Sequence, residues 1–94
     1  MLVRDKIVME RQRQGISRTE LGAMVGVNRV TINRYENGVV KRIPTDVLSR
    51  IVAALHSDFD EFVIEDPLYC NLASRQGMEK YQQQFSEEDR MLIE

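Results

Sequence analysis

Arginine and asparagine side chains recur at helical spacing in the stretch GVNRVTINRYENG, residues 26–38. At about 100° per residue, one arc of roughly 140° holds four of them and one valine. These are Arg29, Val30, Asn33, Arg34 and Asn37, with Thr31, Ile32 and Tyr35 on the opposite side. Arginine can grip a guanine edge, asparagine an adenine edge, and valine can meet a thymine methyl group. The spacing therefore predicts either a helix face that reads nucleic acid or an ordinary solvated face.

The residues around this arc carry the start and stop signals of two short helices. Ser17, with Glu20 three residues later, is a capping-box pattern, and Gly26 is a typical helix end. Asn28 is a good N-cap for the next helix, which we expect over residues 29–37. Two short helices joined by a glycine-containing turn of three to four residues form a helix-turn-helix.

Three further helical patterns complete an all-α domain. We expect a first helix over residues 2–14 that ends at Gly15. After the linker VVKRIP, Pro44 can open a fourth helix with an apolar stripe, and a short fifth helix follows over residues 59–63. We therefore place the domain at residues 1–63, with five helices.

Residues 64–94 form an acidic extension. Its first part, to residue 77, is interpreted as a connector with at most one turn of helix, and helical spacing returns from Met78 onwards. The large apolar side chains of the extension can pack against the domain or against a partner helix, and we favour self-association because a small core leaves little surface to cover them. Those side chains are Tyr69, Met78, Tyr81, Phe85, Met91 and Leu92.

The net charge of −2 is the sum of a basic N-terminal part and an acidic C-terminal part of the 94-residue chain. Residues 1–56 contain ten Lys or Arg and five Asp or Glu, a net +5, whereas residues 57–94 contain three and ten, a net −7. Affinity for a polyanion follows the local potential of the contacting face, so the basic half can bind phosphates despite the negative total.

Composition excludes several other classes. The longest apolar runs are too short to span a bilayer, and the N-terminus lacks a signal-peptide pattern, so we expect a cytoplasmic protein. Cys70 is the single cysteine and is expected to be a packing residue, because it can form no intramolecular disulfide. His56 is the sole histidine, and no nucleophile, metal or cofactor motif accompanies it. The sequence predicts no enzyme, no cofactor and no small-molecule ligand.

Taken together, these elements resemble the DNA-binding domain of the Cro and lambdoid phage repressors, the XRE-type helix-turn-helix family. The resemblance extends over about residues 3–63 and rests on Ile7, Arg11 and Gly15, followed in register by IS, ELGAMVGVN, TIN, YENG and KRIP. It implies a five-helix, lambda-repressor-like fold with a partly helical C-terminal extension.

The resemblance also assigns roles to individual residues. In this family the second helix of the motif enters the major groove. The positions at base edges are Asn28, Arg29, Val30, Asn33 and Arg34. The positions that correspond to phosphate contacts are Ser17, Arg18, Asn37, Lys41 and Arg42. A family ion pair between the first and third helices corresponds to Arg11 and Glu36.

Two residues depart from the family pattern. Arg18 stands where the family usually has a glutamine that touches phosphate and supports the recognition helix, so we expect only the phosphate role to remain. Gly22 replaces the usual alanine, which costs roughly 0.5 to 1 kcal/mol in a helix interior.

The sequence thus predicts a transcriptional regulator, a repressor that binds double-stranded DNA as a homodimer on a palindromic operator. The apolar fifth helix and the acidic extension are the candidate dimer elements. An alternative from another class is an antitoxin or antirepressor, in which the acidic extension, residues 64–94, binds a partner protein. The division of charge fits both, and duplex binding distinguishes them.

Overall fold

The computed structural model describes residues 1–73, and their regular structure is entirely helical, which confirms the predicted fold class. A 3-10 turn at Cys70–Leu72 follows five α-helices. The α-helices are α1 (Val3–Arg13), α2 (Arg18–Val25), α3 (Arg29–Glu36), α4 (Thr45–Ala54) and α5 (Phe59–Val63). The helix predicted from Met78 onwards lies outside the described residues. None of the described helices is long and apolar enough to cross a membrane.

The turn between α2 and α3 is built by the residues that the sequence marks as caps. Ser17 Oγ accepts a hydrogen bond from the Glu20 N–H at 3.0 Å and begins α2. Gly26 ends α2 in the left-handed region, with φ of 80°. Asn28 Oδ1 then accepts from the Thr31 N–H at 2.8 Å and begins α3. Because each cap satisfies a backbone group that its helix leaves free, the helix starts are fixed locally.

A single core holds α3 in place. α2 packs on α3 and α4, while α1 packs on α3 and α5. α3 contributes Ile32, which is fully buried, and Tyr35. The other apolar members of the core are Val3, Ile7, Leu21, Val25, Ile43, Leu48, Ile51, Val52, Leu55, Phe62, Val63 and Tyr69.

α5 belongs to this core, which corrects its interpretation as an apolar dimer element. Phe62 is 3% exposed and Val63 is fully buried, while Phe59 packs partly buried against them. Asp58 Oδ1 caps the helix by accepting from the Glu61 N–H at 3.3 Å. A domain this small needs most of its large apolar side chains for its own core, so α5 has little apolar surface left for a second copy.

The core also continues past residue 63. Asp66 and Tyr69 are each 3% exposed, in a segment that the sequence marks only as a connector. The expectation that Tyr69 serves self-association is therefore wrong, because its side chain is buried inside the protomer. Cys70 is half-buried, as expected of a packing residue.

Gly22 lies where α2 meets the turn that leads to α3. A Cβ at this position would be 2.5 Å from the Val27 carbonyl oxygen and 3.3 Å from the Asn28 carbonyl carbon. The turn backbone thus occupies the space that an alanine methyl group needs. The sequence predicts that Gly22 keeps the close helix approach at a cost in stability, and the structure gives the steric reason for the glycine.

Candidate nucleic-acid interface

The outward face of α3 presents the side chains of the predicted arc to solvent. Arg29 and Arg34 are exposed, Val30 is 56% exposed, and Asn33 is half-buried. The opposite face is buried through Ile32 and Tyr35. The apolar side chain of Val30 is therefore available for contact with a ligand, next to the guanidinium groups of Arg29 and Arg34. The face thus offers donors and one apolar contact together.

Basic side chains differ in their partners, and of those within residues 1–73 that have no carboxylate partner, all but Lys6 lie on α3, beside it or in the loop after it. Away from α3, Arg13 Nη2 lies 2.6 Å from Glu10 Oε2, and Arg50 Nη2 lies 3.7 Å from Asp46 Oδ2. On α3 and in the loop after it, the basic side chains have no carboxylate partner within residues 1–73. They are Arg29, Arg34, Lys41 and Arg42. Positive charge without compensation on one face attracts a polyanion.

Pairing and burial shift the pKa values of three residues named above. The hydrogen bond from Arg13 lowers the pKa of Glu10, and the same pairing raises the pKa of Arg13. Burial raises the pKa of Tyr35, and the charges of Asp46 and Tyr69 raise it further. Tyr35 is therefore held neutral beneath the exposed face of α3.

Glu36, at the end of α3, receives two arginines. Arg11 Nε donates to Glu36 Oε2 at 2.7 Å and Arg11 Nη2 donates to Oε1 at 3.0 Å, a bidentate pair. Arg18 Nε donates to Oε1 at 3.0 Å. The Glu36 side chain is only 1% exposed. This carboxylate therefore fastens the end of the recognition helix to both α1 and α2.

Arg18 supports α3, which corrects the expectation drawn from its departure from the family pattern. The missing glutamine predicts a lost contact with the recognition helix, yet the guanidinium reaches Glu36 directly. The side chain is 39% exposed, and its Nε makes the contact. A guanidinium has five N–H donors, so the terminal nitrogens of Arg18 can face a phosphate while Nε holds Glu36.

Three asparagines at this surface already have hydrogen-bond partners. Asn28 Oδ1 accepts from both the backbone N–H and the Oγ1 hydroxyl of Thr31, so its Nδ2 is the group that remains for a base. Asn37 Nδ2 donates to Asn33 Oδ1 at 3.2 Å. An amide oxygen has two acceptor positions, so Asn33 keeps one for an adenine amino group.

Arg4 is a basic residue at this surface that sequence reasoning missed. It lies in α1, yet its guanidinium covers Gly38, just beyond the end of α3, and any Cβ on Gly38 would collide with it. Within residues 1–73 Arg4 has no carboxylate partner. No local pattern in the first helix indicates this proximity, because it arises only from the packing of α1 on α3.

Comparison with known families agrees with the geometry. A helix-turn-helix family model, that of the XRE-type regulators, matches residues 7–62. The chain therefore belongs to the XRE-type helix-turn-helix family, and it is a DNA-binding transcription regulator of that type. Comparisons with curated proteins and with solved structures gave no match.

Proposed function

We propose that the protein is a sequence-specific repressor that reads its operator with the exposed face of α3. The observation that carries the proposal is the concentration of uncompensated cations on and beside a helix whose other face is fixed in the core. Repression then follows from occlusion, because a regulator bound over a promoter excludes the polymerase.

The base contacts come from the exposed face of α3 and from its N-cap residue. Arg29 and Arg34 suit guanine O6 and N7, and Val30 suits a thymine methyl group. Asn33 suits adenine through its amide, and Asn28 has its Nδ2 to donate. The proposed base-reading set is Asn28, Arg29, Val30, Asn33 and Arg34.

The phosphate contacts flank this set and fix the register of the protein on the duplex. Ser17 and Arg18 lie at the start of α2, while Asn37, Lys41 and Arg42 follow α3. Arg4 is added to them because its guanidinium lies beside Gly38. These residues interact with any sequence, so they supply affinity more than specificity.

A homodimer on a palindromic site is the proposed assembly. One short recognition helix contacts few base pairs, and two-fold symmetry doubles the contacts without a second kind of surface. The half-sites then lie about 34 Å apart, or a multiple of that distance. Because α5 and the first part of the acidic extension, to residue 73, are used in the core, we assign dimerisation to the rest of the extension, residues 74–94. Sedimentation at micromolar concentration tests this assignment, and a monomer there would overturn it.

A salt titration of duplex binding tests DNA recognition. We expect log affinity to fall linearly with log salt, because bound phosphates release counterions. Arg34→Ala should weaken binding to a selected site by about tenfold or more, since a bidentate guanine contact provides roughly 1 to 3 kcal/mol of discrimination. Arg50→Ala is the matched control: it removes the same charge from an arginine that pairs with Asp46, and its affinity should stay within about twofold.

The antitoxin or antirepressor alternative predicts the opposite result. If residues 64–94 bind a partner protein and the helix-turn-helix is only a scaffold, the wild-type chain shows no duplex binding even at low salt. Equal losses for Arg34→Ala and Arg50→Ala would also contradict the proposal, because binding would then depend on total charge alone.

A further inference from the structure

Residues 64–73, which we call the strap, contact two places that lie far apart in sequence. One is the start of α1, and the other is the segment between α3 and α4, residues 37–44, which we call the α3–α4 loop. The strap is buried at both contacts, through Asp66 and Tyr69. Neither contact belongs to the helix-turn-helix itself.

Asp66 anchors the strap to the start of α1. Its Oδ2 accepts from the Val3 N–H at 3.0 Å, and its Oδ1 accepts from the Leu68 N–H at 3.0 Å. Its carbonyl oxygen accepts from the Tyr69 N–H at 2.9 Å and from the Cys70 N–H at 2.8 Å. A buried carboxylate at a helix N-terminus is favoured by the helix dipole and caps a free backbone donor. This anchor fixes the backbone from which Tyr69 projects.

Tyr69 connects that anchor to the α3–α4 loop. Its hydroxyl oxygen accepts from the Ile43 N–H at 2.7 Å, a buried hydrogen bond. The guanidinium of Arg42 lies over its ring, 5.5 Å from the centroid. One side chain therefore holds both the backbone at the end of the loop and a basic side chain on it.

The middle of the loop has few other restraints. Val39 N–H donates to the Arg34 carbonyl oxygen at 3.1 Å, and Val39 itself is 70% exposed. Lys41 and Arg42 make no hydrogen bond or ion pair with residues 1–73. A cavity of about 180 Å³ lies between the loop and the strap, lined in part by Tyr35, Lys41 and Tyr69. The Ile43 side chain is buried in the core, and within residues 1–73 Tyr69 is the strap residue whose side chain hydrogen-bonds to the loop backbone there.

We propose that the strap positions the α3–α4 loop for phosphate binding, with Tyr69 as the positioning residue. Tyr69 touches no DNA in this arrangement. It acts by holding the Ile43 backbone and Arg42, so that the two cations of the loop reach the duplex already ordered. The inference rests on the proposed DNA-binding function and gives a part of the acidic extension a role in it.

A double-mutant cycle on the full chain tests this role. The probe is a random-sequence duplex at low salt, because phosphate contacts do not depend on sequence. Tyr69→Phe keeps the ring and removes the hydroxyl, and we expect it to lower affinity about threefold to tenfold. The slope of log affinity against log salt should become shallower by about 0.9 for each phosphate contact that is lost.

The second arm of the cycle removes the cations of the loop. In the background Lys41→Ala with Arg42→Ala, Tyr69→Phe should change affinity by less than twofold, because no charge is left to position. Val52→Ala is the control for general loss of stability, since it opens the same core in α4, near the end of that helix and not in α5, on which the strap packs. Its affinity should equal that of the wild type at a temperature where thermal unfolding shows every variant folded.

The possible results of these measurements separate the role of Tyr69 from the proposed DNA-binding function. Equal losses from Tyr69→Phe in both backgrounds, or no loss in either, would overturn the role of Tyr69 while leaving DNA binding intact. A matching loss for Val52→Ala would overturn it too, because general destabilisation would then account for the effect. Absence of duplex binding by the wild-type chain would instead contradict the proposed function.

Discussion

Glu36 is the residue on which the orientation of α3 depends most. Its carboxylate is almost fully buried and is shared by Arg11 and Arg18, which come from two different helices. Both oxygens are used, and Arg11 also donates through Nη1 to the Ile16 carbonyl at 3.0 Å. The pairing with Arg11 follows a family pattern visible in the sequence, whereas the second arginine becomes evident only when α2 and α3 are seen together.

Replacing Glu36 with glutamine should destabilise the fold strongly. Glu36→Gln keeps the size of the side chain but leaves the buried Arg11 without a counter-charge, which costs about 3 to 5 kcal/mol. Urea denaturation gives the free energy of unfolding. Arg18→Gln is the comparison: its side chain is partly solvated, so the loss should stay at about 1 kcal/mol or less. Similar losses for both variants would contradict this account of the buried pair.

His56 has a conformational cost, and its replacement should stabilise the protein. It follows α4 with φ of 54°, while the Ser57 N–H donates to the Val52 carbonyl at 3.0 Å and closes the helix end. A left-handed conformation costs an ordinary residue roughly 1 to 2 kcal/mol, which glycine avoids at some loss of chain entropy. We expect His56→Gly to raise the free energy of unfolding by about 0.5 to 1 kcal/mol.

Thermal and urea unfolding of two glycine variants check this. Ala53→Gly makes the same kind of change one turn earlier, at an exposed position inside α4, and should lower stability by about 1 kcal/mol. A His56→Gly variant that is as destabilised as Ala53→Gly would show that the histidine side chain itself stabilises the helix end, as a cation near a helix C-terminus can.

At the scale of the elements, locally encoded features were predictable from sequence and distant contacts were not. The caps at Ser17 and Asn28 and the buried face of α3 follow from spacing within a few residues. The places of Arg4 and Asp66 do not, because their partners lie far along the chain and depend on how helices pack. The candidate site was therefore predictable along α3 and incomplete at its edges.

Asn28 combines a structural role with a proposed DNA contact, and one substitution separates them. Asn28→Ser keeps an N-cap oxygen but removes the Nδ2 donor, so stability should change by no more than about 0.5 kcal/mol. Affinity for a selected duplex should fall about threefold to tenfold, in line with the loss of a hydrogen bond of about 1 kcal/mol.

Asn28→Ala removes both functions and provides the reference. It should lose about 1 kcal/mol of stability through the missing cap, in addition to the affinity lost by Asn28→Ser. If Asn28→Ser binds the duplex as tightly as the wild type, Asn28 serves only as a helix cap, and its proposed base contact is contradicted.

On the scale of the whole molecule, the basic half and the described part of the acidic half of the sequence occupy different parts of the fold. The basic half folds into helices that place unpaired cations on and beside α3, while paired cations such as Arg13 and Arg50 lie elsewhere. The acidic half begins as a strap on the same core rather than as a separate appendage. Composition could predict the two halves, but not that the start of the second reaches the edge of the proposed interface.

Selection of bound duplexes from a random pool tests the central claim, that the exposed face of α3 reads DNA sequence. The wild-type chain should enrich a palindromic consensus with half-sites about 34 Å apart or a multiple of that distance. Asn33→Ala should lose the preference at one position in each half-site and keep the others, because a single bidentate contact is removed. Failure to enrich any consensus, or an unchanged consensus for Asn33→Ala and Arg34→Ala alike, would contradict the account.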